Sequence, residues 1–212
     1  MATAASNRSG VTESRGQSLQ LHTLSGCRLA IGRYPAFRYD GRGGGGPGQT
    51  SESRDGGASI LGFPAETLTI PPLNSSSTRF LGLPLPPGLS IAIAAEQLSG
   101  QWTPESGAIA LNFRARFRFR ACLAGRPLYA PPDLQIACTL TSGSAQGSRH
   151  SATGKPLAAD GRARLVGVAR VEPCGDALLD RFLGLPDRPW LPTGQSSQTG
   201  IAVAYTPIHT AR

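Results

Sequence analysis

Lysine is nearly missing from this 212-residue chain: Lys155 stands alone among 21 basic residues. Arginine therefore carries the positive charge, which suits bidentate anion contacts, although a coding bias toward Arg, Gly, Ala and Pro accounts for it equally well. No apolar run approaches the ~20 residues that a membrane-spanning helix needs, so no transmembrane helix is predicted. Residues 1–16 lack the apolar centre of a secretory signal. The four cysteines, Cys27, Cys122, Cys138 and Cys174, show no Cys-x-x-Cys spacing and no neighbouring histidine pair. That argues against a zinc site or a disulfide framework. Cys138 shares an alternation with Leu134, Ile136 and Leu140, the setting of a reduced, buried thiol, and points to a reducing compartment.

What is present, 39% hydrophobic residues with 27 glycines and 18 prolines, fits one turn-rich globular domain better than a helical one. A net charge of +8 and a pI near 10.2 favour anionic partners: phosphate-bearing ligands, acidic lipid surfaces, nucleic acid or an acidic protein. The sharpest local signal is Phe113-Arg114-Ala115-Arg116-Phe117-Arg118-Phe119-Arg120. As a strand it places Phe113, Ala115, Phe117 and Phe119 on one face and four arginines on the other, in a ladder about 20 Å long.

Along the chain, residues 1–17 read as a disordered tail. Arg8, Arg15 and the single acid Glu13 give it a faint likeness to an organelle-targeting peptide. Residues 18–205 form the predicted β domain and 206–212 a second tail. Residues 18–24 and 27–31 alternate apolar with polar and read as a hairpin. A short strand passes through Phe37, and the Gly/Ser-rich stretch 43–57 reads as a flexible insert. Further strands are expected at 66–70 and 89–94, then as a long hairpin over 98–120 that returns through the arginines. Another follows at 134–141. Residues 165–171, apolar on both faces, read as a central strand. Asp176 is placed to cap a short helix through Leu178, Leu179 and Phe182, and residues 201–205 form a final strand.

A hexapeptide recurs: Arg79-Phe80-Leu81-Gly82-Leu83-Pro84 and Arg181-Phe182-Leu183-Gly184-Leu185-Pro186. The functional reading makes these loops two equivalent binding lips. The structural reading has Phe80, Leu81, Leu83, Phe182, Leu183 and Leu185 plug the ends of a sandwich or barrel while Gly and Pro turn the chain. Together with residues 33–40 and 165–169, these words resemble uncharacterised β-rich proteins of photosynthetic organisms. The resemblance spans most of residues 27–190. It implies no activity, and implies a cytoplasmic or plastid-stroma location.

Catalytic motifs fail on inspection. Residues 43–50 match the spacing of a phosphate-binding loop, but Gln49 replaces its lysine. Residues 57–62 miss the nucleophile-elbow spacing. His22, His150 and His209 are scattered, so no metal or nucleophilic cluster and no cofactor is predicted. Asp176 and Asp180 lie four apart, yet one reads as a cap and the other as a helix-end polar residue. Asn7 and Asn74 head glycosylation triplets that a protein retained in the cell leaves unused.

No acid occurs in residues 106–132, so the arginines Arg114, Arg116, Arg118 and Arg120 lack partners nearby in sequence. Phenylalanines pointing away from them disfavour nucleic acid, whose single strands need aromatics and cations on one exposed face. Four basic residues at a membrane supply on the order of 4 kcal/mol, a weak affinity without help. The expected fold is all-β, a single antiparallel sandwich or distorted barrel with one short helix. The expected function is non-enzymatic binding, of an anionic or lipid-like ligand or an acidic membrane surface. The alternative is an enzyme on a polyanionic or carbohydrate substrate, with carboxylates assembled by the fold. The sequence does not specify an oligomeric state.

Overall fold

The computed structural model describes residues 17–31, 34–52, 57–147, 151–183, 185, 200–203 and 206–211. Residues 1–16, residues 53–56 of the expected insert and most of 184–199 lie outside them. The early strands are β1 (Gln17–Thr23), β2 (Cys27–Leu29), β3 (Phe37–Tyr39), β4 (Gly45–Glu52), β5 (Ser59–Phe63), β6 (Thr78–Phe80) and β7 (Leu83–Pro84). A long pair follows, β8 (Leu89–Thr103) and β9 (Ala108–Leu123). The remainder are β10 (Arg126–Tyr129), β11 (Leu134–Thr141), β12 (Ser144–Gln146), β13 (Ser151–Thr153), β14 (Arg162–Leu165), β15 (Val168–Val171), helix α1 (Ala177–Leu183), β16 (Gly200–Val203) and β17 (Thr206–Ala211). The fold is all-β with one short helix.

One antiparallel sheet runs β14-β17-β1-β4-β5-β8-β9-β11-β15-β16, with β10 folded back on β9. It curls until Val166, just past β14, exchanges hydrogen bonds of 2.7 and 2.8 Å with Thr141 at the end of β11. That single bridge does not become a ladder, so the barrel stays open. A second sheet, β2-β3-β6-β7, covers one half of the curled sheet. Phe37 of β3 and Leu85 after β7 join Ile91, Phe119 and Leu183 in one buried cluster. Leu21, Leu61, Ile109, Leu111 and Leu165 form another in the opposite half. Each fully buried leucine contributes about 1.5–3 kcal/mol, so both halves hold their strands in register.

Several expectations need correction. Residues 18–24 and 27–31 are not a hairpin: β1 pairs with β4 and β17, whereas β2 pairs with β3. The chain changes sheets at Gly26, whose φ is 86°. The glycine-rich stretch is no flexible insert over 45–52, because β4 lies inside the sheet between β1 and β5. Glycine is required there by close approach: a Cβ on Gly45 would sit 1.9 Å from the Leu21 carbonyl oxygen, and one on Gly48 would sit 2.5 Å from the Phe63 ring. Residues 65–67 form a 3-10 turn where a strand was expected. Residues 165–171 are two strands in separate places, β14 and β15, so their double-sided apolarity reflects two burials. The tail 206–212 is largely β17, seated between β1 and β14. The strand expected over 89–94 continues to Thr103, making β8–β9 a longer hairpin than anticipated.

Candidate functional site

Strand β9 carries out its alternation in full. Arg114, Arg116, Arg118 and Arg120 are exposed, whereas Ala115 and Phe119 are buried and Phe113 and Phe117 are half-buried. The intermediate burial of the last two has a physical cause: they border an apolar cavity of about 170 Å³ inside the curled sheet, shared with Ile93, Ile136, Cys138 and Ala169. A dry apolar cavity of similar size admits a benzene-sized guest.

The arginines are not equally free. A bulge in β8 between Ala95 and Gln97 turns the extra residue, Glu96, onto the outer face, where it meets Arg116 at 2.6 Å. Arg118 grips Asp133 with two hydrogen bonds of 3.0 Å. That fork holds the Asp133 carboxyl below its usual range, with weaker help from Arg116 and Arg120. The partners missing nearby in sequence are supplied at the ladder's centre by acids distant in sequence, from β8 and from the entry to β11. Arg114 and Arg120 form no ion pair among the described residues.

Arg120 differs again in reaching a groove of about 480 Å³, within the range of small-molecule sites. Its apolar floor is built by Phe37, Leu85, Ile91 and Phe119, which belong to the buried cluster. Tyr34 and Phe182 stack at a centroid distance of 5.1 Å along one wall, and Arg120, Arg181 and Tyr129 supply its polar groups. Arg181, like Arg120, is exposed and forms no ion pair among the described residues. The Tyr129 hydroxyl donates to Asp176, and desolvation together with that bond pushes the tyrosine's pKa up.

The two hexapeptide copies adopt different structures. The first is the β6–β7 hairpin, with Leu81 and Gly82 as its two-residue loop; the second begins within α1. Phe80 is half-buried and stacks on Phe37 at 4.6 Å, while Leu183 and Leu185 are buried as an end plug would be. Leu81 and Leu83 are 71% and 70% exposed, and Phe182 is 41% exposed. Those three do not plug the fold.

The carboxylates weighed for acid/base chemistry have structural tasks. Asp176 accepts from Leu179 N at 2.8 Å, as a cap should, and Tyr129 holds its pKa down. Asp180 lies in the first turn of α1 and is buried, accepting from Cys174 N and Gly175 N at 2.9 and 3.1 Å. His22 stands opposite His209 in the β1–β17 register, which the sequence separation concealed, and His150 lies outside the described residues. No group of His, Cys, Asp or Glu among the described residues is arranged to hold a metal. The four cysteines are free thiols; burial raises those of Cys27 and Cys138 to about 11. No helix among the described residues is long and apolar enough to cross a membrane. No protein-family model, no curated protein and no solved structure matches this chain.

Proposed function

We propose that the protein is a non-enzymatic binder of an amphipathic anion, a lipid-like molecule with an apolar tail and a carboxylate or phosphate head. The observation that carries this reading is the placement of Arg120 and Arg181 on a largely apolar groove of about 480 Å³. The tail lies on Phe37, Leu85 and Ile91 and gains by leaving water. The head takes charge-assisted hydrogen bonds from the guanidinium groups. Central arginines of β9, occupied by Glu96 and Asp133, leave this role to the groove end.

A dansyl-labelled long-chain fatty acid tests it. Binding should raise the probe's fluorescence, and Arg120→Ala or Arg181→Ala should each weaken affinity about fivefold, a charge-assisted bond reduced by partial exposure. Arg114→Ala should change it less than about twofold. Equal losses in all three variants, or no binding by the unmodified chain, would remove the groove from consideration.

A further inference from the structure

We infer that the groove end of the molecule docks on an anionic bilayer, inserting the apolar tips of two hairpins. This goes beyond ligand binding, because the four leucines of the hairpin tips line neither the groove nor the cavity. Leu81 and Leu83 on β6–β7, and Leu123 and Leu128 on β9–β10, are each 66–71% exposed. The connection out of the first hairpin reaches the base of the second: Cys122, beside Leu123, donates its N–H to the carbonyl of Gly88, four residues past β7, at 2.9 Å. Leu178 of α1, 67% exposed, stands at the same groove.

Backbone conformation makes the first tip unusual. Each hairpin closes through a two-residue loop, Leu81-Gly82 and Ala124-Gly125, with both residues at positive φ. Such loops favour Asn-Gly or Asp-Gly. Leu81, at φ 51°, and Ala124, at φ 48°, are the two non-glycine residues at positive φ among those described. A leucine held in a disfavoured conformation while burying almost nothing in the protein is explained by burial elsewhere.

Charge selects the occupant. Neither residues 78–88 nor residues 119–132 contain an acid, whereas Arg79, Arg120 and Arg126 lie among the leucines. Apolar tips whose own hairpins carry arginine and no acid fit the boundary of an anionic bilayer, with leucines among the upper acyl segments and guanidinium groups at the phosphates. A protein partner would have to supply separate sockets for each tip and acids between them.

The test is sedimentation of the full chain with vesicles of phosphatidylcholine alone or with 30% phosphatidylglycerol, about a third anionic lipid. The unmodified chain should bind the anionic vesicles and lose binding as salt rises. Leu81→Asn restores the favoured Asn-Gly loop. It should leave thermal stability equal or higher while lowering vesicle binding about tenfold. Leu128→Asn should lower binding similarly, and Arg126→Ser should do so only on anionic vesicles. All three variants should retain dansyl fatty-acid binding in solution, so failure of docking and failure of the groove are distinguishable. Vesicle binding by Leu81→Asn equal to that of the unmodified chain, or none by the unmodified chain, overturns the proposal.

Discussion

The middle and the groove end of β9 are built from the same alternation of phenylalanine and arginine, yet they have become different surfaces. At the middle, Glu96 and Asp133 occupy Arg116 and Arg118, and Phe113 and Phe117 face a cavity. At the groove end, Phe119 is packed into the core while Arg120 stands beside open apolar surface. Partner strands cause the difference. The β8 bulge and the entry to β11 deliver acids to one half, and β3, β10 and α1 wall a groove beside the other.

The largest effect expected from breaking this contrast is in the core beneath it. Phe119→Ala should cost about 3–5 kcal/mol, because its ring is only 6% exposed and packs into the buried cluster beneath the groove, so that its loss leaves a void. Phe117→Ala should cost about 2 kcal/mol, since the ring already borders empty volume and has fewer contacts to lose. Urea denaturation midpoints measure both. Equal costs would mean that the two halves of β9 are packed alike.

An intermediate effect concerns the thiol beneath the middle. Cys138 pairs with Phe113 in the β9–β11 register and lines the cavity. Burial raises its pKa, and that of Cys27, from 9.0 to about 11. Between pH 9 and 11 the unfolded chain has lost these protons and the folded chain retains them. Stability is therefore whole below pH 9 and declines as pH rises, by at most about 1.4 kcal/mol per unit for each thiol. Cys138→Ala should flatten that decline in denaturation series across alkaline pH. An unchanged slope would place the thiol in contact with water.

The two faces of β9 were legible in the sequence because a period of two maps directly onto a strand, and the same holds for β11 and for the Asp176 cap of α1. Local pattern failed where neighbours decide. Nothing in a run of glycines announces that Gly45, Gly46 and Gly48 are small because Leu21, Thr67 and Phe63 press against them. Apolar residues 165–171 hid a change of strand at Gly167, and β17 was hidden in a short polar terminus. The acids that neutralise the central arginines come from another strand and from beyond a further hairpin, a proximity that only the register reveals. The groove was half visible. The repeated hexapeptide marked Phe182, but its stacking on Tyr34 and the arrival of Arg120 beside it belong to tertiary structure.

The smallest effect tests whether the central arginines are occupied in solution. Asp133 is held below its usual range chiefly by the Arg118 fork, so its folded pKa lies under its unfolded value of about 3.8. This contribution to stability is present above that value and disappears as pH falls through the depressed pKa. Arg118→Ala should move the Asp133 carboxyl titration, followed by carbon-detected NMR, back toward the ordinary carboxylate value, with global stability nearly unaltered at such an exposed pair. The titration of Asp176, held down by Tyr129 at the groove end, should not move. If Asp133 titrates normally in the unmodified protein, Arg118 is as free as Arg120. The middle of β9 would then be an anion surface too, and the contrast between the two halves would rest on the groove's apolar walls alone.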